Sequence, residues 1–77
     1  MRALSRQRRD RICEAIRSYR QVYGYPPSMR DVGRIAHIAS VSTVSKYLDR
    51  LQAEGRVKRD RNINRSIRLV EDIDVSA

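Results

Sequence analysis

The stretch Ser40-Val41-Ser42-Thr43-Val44-Ser45-Lys46-Tyr47-Leu48-Asp49-Arg50-Leu51 holds the side chains most able to do chemistry, and they are hydroxyls and cations. Val41, Val44, Leu48 and Leu51 follow the i, i+3, i+7, i+10 spacing of a buried helical stripe. At about 100° per residue, the opposite face carries Ser42, Thr43, Lys46, Asp49 and Arg50, with no bulky apolar residue among them. Small hydroxyls and long polar side chains on a free helical face can meet base-pair edges, which display distinct donor and acceptor patterns in the major groove. The plain alternative is a solvated face of a small helical domain, and the helix alone does not separate the two.

Such a face needs a frame. A second helix is predicted over roughly residues 29–36, only a few residues upstream, which gives the pattern of a helix-turn-helix. Ser28-Met29-Arg30-Asp31 is the short acidic form of a capping box and opens that helix. Val32, Ile35 and Ala36 are expected to face inward, with Gly33 a mild liability of about 1 kcal/mol against Ala. His37-Ile38-Ala39 forms the turn, with Ile38 dipping into the core. Ser40 or Ser42 caps the third helix, which runs to about Glu54 and stops at Gly55. Further upstream, Ser5 is placed to cap a first helix of about residues 6–22. Ile12, Ile16, Tyr19 and Tyr23 make its core stripe, with Ala15 and Val22 beside them. Gly24 suits the residue after the helix, and Pro26-Pro27 prevents resumption.

After Gly55 the period changes to two. Residues 56–60 and 65–70 alternate and flank Arg61-Asn62-Ile63-Asn64, where both asparagines tolerate a left-handed backbone, so a β-hairpin is expected. Val57, Ile67 and Leu69 would pack on the helices, while Lys58, Arg59, Arg61, Arg65 and Arg68 would project outward or line the tip. Three helices and a hairpin make a mainly α (α+β) winged helix-turn-helix. It forms one domain over residues 1–70, followed by an acidic, frayed tail at 71–77.

Charge points the same way. Seventeen basic residues against nine acidic give a net charge of +8 and a pI near 10.8. Glu71, Asp72 and Asp74 all lie in the tail, so the body is more positive still. So strong a field on so small a domain favours a polyanion, and nucleic acid is the usual one. All but two of the bases are arginine, whose planar fork pairs two acceptors of a phosphate or a guanine edge. Cys13 and His37 stand alone in the sequence, which excludes a disulfide framework and a Cys/His metal site, so no cofactor or metal is expected. Cys13 is expected to behave as a small, partly buried hydrophobe. The sequence has neither the apolar run of a membrane span nor that of a secretory signal, so a cytoplasmic, nucleoid-associated protein without membrane contact is the expectation.

Leu4-Ser5-Arg6-Gln7 and Gly24-Tyr25-Pro26-Pro27-Ser28-Met29-Arg30-Asp31-Val32 resemble the opening and the Gly-x-Pro-Pro-[Ser/Thr] segment of the LexA repressor DNA-binding domain family. The similarity continues through Ser40, Val44, Leu48, Leu51, Glu54-Gly55 and Arg65-Ser66-Ile67-Arg68-Leu69, and covers about residues 1–70. It implies a winged helix that binds operator DNA and represses transcription, in that family as part of the SOS response. Carried over by position, the base-reading residues fall on Ser40, Ser42, Thr43, Ser45 and Lys46. Gly33 stands where the family commonly has Ala, and Ala36-His37 where it has Leu-Gly, so the inter-helix turn is expected to differ. Ser42, Ser45 and Lys46 differ from the more acidic family version, so the operator does not transfer. The family's self-cleaving peptidase domain, with its Ser-Lys dyad, has no counterpart within these residues. Ser42 and Lys46 lie one helical turn apart, yet an exposed basic helix lacks the water-excluded pocket and oxyanion donors such a dyad needs, so no enzymatic activity is expected.

The resulting expectation is sequence-specific binding to double-stranded DNA. Ser42, Thr43 and Lys46 would sit at base edges, with Lys46 donating to guanine and Thr43 meeting a thymine methyl. Arg50, oriented by Asp49, would contact a phosphate, as would Ser28 at the start of the second helix and Lys58, Arg59, Arg61 and Arg65 on the hairpin. One module reads few bases, so two copies on an inverted repeat, a homodimer formed on DNA, are expected. The runner-up is a protein-interaction adaptor that holds an acidic partner, with Tyr25 or Tyr47 as anchors. Single-stranded or RNA binding ranks third, because only four tyrosines are present, most at core spacings.

Overall fold

The computed structural model describes residues 6–60, 62–63 and 65–70. Expectations placed on Ser5, Arg61, Asn64 and the tail at 71–77 lie outside the described residues. Three helices, α1 (Arg6–Tyr23), α2 (Met29–Ala36) and α3 (Val41–Ala53), precede two short strands, β1 (Val57–Lys58) and β2 (Arg68–Leu69). The strands pair antiparallel with Val57 opposite Leu69 and Lys58 opposite Arg68. This is a winged helix-turn-helix.

Local chemistry sets the helix ends. Gly24 and Gly55 both adopt positive φ, +81° and +78°, and so turn the chain out of α1 and α3. At the start of α2 the capping box is complete: Ser28 Oγ accepts from the Asp31 N–H, and the Asp31 carboxylate accepts from the Ser28 N–H. Ser40, not Ser42, caps α3, its Oγ accepting from the Thr43 N–H.

The core gathers Ile12, Cys13, Ala15 and Ile16 of α1, Val32 and Ala36 of α2, and Val44, Tyr47, Leu48 and Leu51 of α3. Ile38 from the turn and Val57, Ile67 and Leu69 from the hairpin close it. Each fully buried Leu or Ile contributes about 1.5–3 kcal/mol. Four expected core residues lie outside it. Val22 is 74% exposed and Tyr23 is also exposed, both in the last turn of α1. Tyr23 stacks instead on Tyr19, ring centroids 4.4 Å apart. Ile35 sits on the flank of α2, whose core contacts are made by Val32 and Ala36 one turn apart. Val41, the first residue of α3, is 40% exposed, and Tyr47 takes its place in the stripe.

The hairpin is shorter than the alternating pattern implied. Beyond Lys58 and Arg68, side chains take over from the strand ladder. The Asp60 N–H donates to Ser66 Oγ, the Ser66 hydroxyl donates to the Asp60 carbonyl, and the Asp60 carboxylate accepts from the Asn62 N–H. Among the described residues of the connection, the left-handed backbone falls on Arg65 (φ 57°). Arg65 Nη1 donates to Asp31 Oδ2 at 3.0 Å and to the Tyr19 hydroxyl at 2.9 Å, and its guanidinium lies 5.1 Å from the Tyr25 ring centroid. The wing is thereby moored to α1 and α2. Burial alone would raise the Asp31 carboxyl, but the bonds from Ser28 and Tyr19 and the Arg65 charge outweigh it and hold it below the ordinary carboxylate value.

Gly33 packs against both the turn after α2 and the first turn of α3. A Cβ there would stand 2.9 Å from the Ile38 carbonyl oxygen and 3.2 Å from Val44 Cγ2. Gly33 is therefore a requirement of this contact, and the expected liability of about 1 kcal/mol in helix propensity is outweighed. His37 ends α2 in the left-handed region, φ 61° and ψ 43°, a conformation that costs a non-glycine residue about 1–2 kcal/mol.

Two stability predictions follow from the turn. Gly33→Ala should destabilise the fold by about 1–3 kcal/mol through overpacking, despite its helix propensity. His37→Gly should stabilise by about 0.5–1 kcal/mol, less than the relieved strain because glycine also frees the unfolded chain. Thermal unfolding by circular dichroism checks both, since 1 kcal/mol moves Tm by about 4–8 °C in a domain of this size. A rise in Tm for Gly33→Ala would contradict the close contact. A third prediction concerns acid. The depressed Asp31 carboxyl stabilises the fold above its unfolded pKa of about 3.9, and that contribution is lost as pH falls through the lower folded value. Asp31→Asn should cost about 1–3 kcal/mol in urea unfolding at pH 7, and its stability should then fall less than that of the unmodified chain between pH 5 and about 2. Identical pH dependence in the two would exclude Asp31 as the acid-sensitive group.

Candidate nucleic-acid interface

The polar side of α3 is presented outward because the opposite side is anchored in the core. Val44, Leu48 and Leu51 are fully buried, so Ser42, Lys46, Asp49 and Arg50 face solvent and Thr43 and Ser45 sit half-buried at the margins. Ser42 and Lys46, four residues apart, share one strip of the helix surface. Ser40 stands at the helix start with its Oγ engaged in the cap.

Beside this face, a cleft of about 520 Å³ separates the wing from the first turns of α2 and α3. Its walls include Ser28, Met29, Arg30, Val41, Ile63 and Arg65. Apolar surface from Met29, Val41 and Ile63 alternates there with hydroxyls and guanidinium groups. Arg30 and Val41 were not among the expected contacts. Arg30 had a readable signal: a cation in the first turn of a helix opposes the helix dipole and so marks a place where an external anion would be welcome.

Several expected backbone-contact residues are otherwise occupied. The Ser28 hydroxyl both donates to and accepts from Asp31, so the donors of the α2 N-terminus that the helix geometry leaves unpaired are the Met29 and Arg30 N–H groups. Arg50 Nε donates to Glu54 Oε2 at 3.0 Å, and Arg9 also reaches that carboxylate, tying α1 to the end of α3. The hydrogen bond from Arg50 is the foremost reason the Glu54 carboxyl lies below its ordinary value. Asp49, expected to orient Arg50, has a different arginine beside it. It pairs with Arg59 at 2.9 Å.

Arg59 is the clearest correction. Instead of projecting from the wing, its side chain is 6% exposed. Nη1 donates to Met29 Sδ at 3.1 Å, and Nη2 donates to Ser45 Oγ at 3.2 Å and Asp49 Oδ1 at 2.9 Å. Its Nε–H is buried without a hydrogen-bond partner, so the group is held by its terminal nitrogens. The turn after β1 directs it inward between α2 and α3, where Nη2 serves two acceptors four residues apart on α3 while Nη1 turns to α2. Lys58 and Arg68 are exposed on the strands, and Arg65 is partly exposed but paired with Asp31. Tyr47, one of the two tyrosine anchors of the adaptor reading, is buried in the core, whereas Tyr25 is exposed.

Acidic groups are largely consumed by arginine pairs, including Asp10 with Arg56, Glu14 with Arg17 and Asp31 with Arg34. Among the described residues, no group of three or more His, Cys, Asp or Glu is placed to hold a metal ion. No described helix is long and apolar enough to cross a membrane.

Comparison with known proteins agrees with this geometry. Residues 1–66 match the LexA DNA binding domain family. The chain is 40% identical over 72 residues to the LexA repressor of Staphylococcus aureus (strain Mu3), covering 94% of this chain and 34% of that protein. It is 39% identical over 66 residues to the LexA repressor of Staphylococcus carnosus (86% and 32%) and 38% identical over 65 residues to that of Exiguobacterium sp. (84% and 32%). The chain thus spans about a third of the length of the curated relatives it matches. A match over most of the chain, a capped helix-turn-helix and a basic wing lead to one assignment: this chain belongs to the LexA DNA-binding domain family.

Proposed function

We propose that the chain binds double-stranded DNA sequence-specifically and represses transcription. The observation that carries this is the exposed strip of Ser42 and Lys46 on a helix whose other side is anchored by buried Val44, Leu48 and Leu51, beside a cleft rimmed by arginine. α3 lies in the major groove with Ser42, Thr43 and Lys46 at base edges, and Ser40 and Ser45 flank them. Lys46 donates to guanine O6 or N7, and the Thr43 methyl meets thymine. One sugar–phosphate strand runs along the cleft, where Arg30 and the first N–H groups of α2 meet a phosphate. Arg50, Lys58, Arg61 and Arg68 add contacts on either side. The names of the relatives support repression, and the reading places two copies on an inverted repeat, with action at the nucleoid in the cytoplasm.

In vitro selection of bound duplexes tests the reading, because it reports duplex preference, half-site sequence and spacing together. Recovery of random sequence would contradict it. If six to ten phosphates are engaged, affinity should fall about 10³–10⁵-fold between 50 and 200 mM salt, and a flat response would exclude the backbone contacts. Lys46→Ala should cost about 1–3 kcal/mol at the selected site and relax preference there, measured by fluorescence anisotropy. Arg61→Ala should instead weaken all duplexes alike. An unchanged preferred sequence for Lys46→Ala would place α3 elsewhere.

A further inference from the structure

Arg59 is a wing residue by sequence but belongs to α3 by contact. We propose that it is a specificity-positioning residue: it takes no phosphate, and by donating to Ser45 it fixes that hydroxyl as a hydrogen-bond donor toward the base pair it faces. The inference rests on the DNA-binding reading above and deepens it.

A guanidinium has only donors, so Ser45 Oγ must be the acceptor in its 3.2 Å contact with Arg59 Nη2. A serine hydroxyl otherwise offers one donor and two acceptor positions, and reads donors and acceptors alike. With one of its two acceptor positions committed to a cation, the hydroxyl is polarised, which strengthens its proton as a donor and weakens the remaining lone pair as an acceptor. In the major groove, acceptors are guanine N7 and O6, adenine N7 and thymine O4, whereas the cytosine amino group is a donor. The Ser45 position should therefore favour a purine N7, guanine O6 or thymine O4 and disfavour a cytosine amino group.

The same contacts argue against a phosphate role. To reach a phosphate, Arg59 would have to leave Asp49 at 2.9 Å, Ser45 and Met29 Sδ together, and expose a side chain that is almost fully buried. Asp49 and Ser45 lie one turn apart on α3, so the single guanidinium also fixes the rotation of that face relative to the wing.

The test uses the selected duplex and a series in which each base pair is changed in turn, titrated with the unmodified chain, Arg59→Met, Ser45→Ala and the double variant at several salt concentrations. Arg59→Met and Ser45→Ala should each reduce discrimination at the same base pair, from about 10-fold to about 2-fold, and the double variant should be no worse than either. The salt slope of Arg59→Met should stay that of the unmodified chain. A slope smaller by about 0.9, with every base preference retained, would make Arg59 a phosphate ligand and overturn the proposal. It is equally overturned if the two variants affect different base pairs, or if Ser45→Ala leaves the ranking unaltered because its proton is spent on the Val41 carbonyl. Should Arg59→Met fail to fold by circular dichroism, Asp49→Asn loosens the same guanidinium. It should weaken discrimination at the Ser45 base pair, and an unaltered ranking there overturns the proposal. Failure of the unmodified chain to select any duplex would instead remove the DNA-binding reading itself.

Discussion

At Gly33 there is no room for a methyl group between α2 and the turn that leads into α3, and the placement of the whole outward face follows from that contact. The Ile38 carbonyl oxygen and Val44 Cγ2 occupy the space a Cβ would need. His37 accepts a left-handed backbone to bring the chain around, and the Ile38 N–H donates to the Gly33 carbonyl at 2.8 Å to close the turn. With α3 pressed this closely on α2, Val44, Leu48 and Leu51 have one way to bury themselves, and the hydroxyls and lysine of the other side have one way to point. The exposed polar face of α3 is thus a consequence of packing on the far side of the helix.

The arginines divide into two kinds of work. Arg59 and Arg65 act as pins, one joining the wing to α3 through Ser45 and Asp49, the other joining it to α1 and α2 through Tyr19 and Asp31. Two short strands of two residues each would make a weak hairpin in isolation. Fastened on both arms beyond the strands, the hairpin holds Lys58 and Arg68 exposed. Each such arginine–carboxylate pair neutralises a cation along with its acid, and among the described wing residues Lys58 and Arg68 are exposed outside these pairs.

Elements with a local cause were legible in the sequence. The bounds of α2, the capping box at Ser28 and Asp31, the stops at Gly24 and Gly55, and the stripe Val44, Leu48, Leu51 each depend on neighbours within a turn or two. What escaped depends on contacts distant in sequence. Gly33 reads as a helix weakness until Ile38 and Val44 are seen against it. Tyr23 and Val22 have core spacing, yet both are exposed in the last turn of α1. Val41 fits the apolar period, yet it opens α3 over a cleft. Arg59 and Arg65 look alike in sequence, and only the positions of Asp49 and Asp31 on other elements show that both are paired, Arg59 buried and Arg65 still exposed. Among the candidate base readers, Ser42 and Lys46 emerged exposed together, while Ser40 and Ser45 hold structural bonds as well.

The account's central claim is that the Ser42–Lys46 face of α3, with the wing beside it, is the surface that meets DNA. A titration of isotopically labelled chain with the selected duplex, followed by amide NMR, reads that surface directly. The largest shift changes should fall on residues 40–46, with a second group at Arg30, Lys58 and Arg68, and the exposed Val22, Tyr23 and Tyr25 patch should stay still. Changes centred on that tyrosine patch, with α3 silent, would contradict the account.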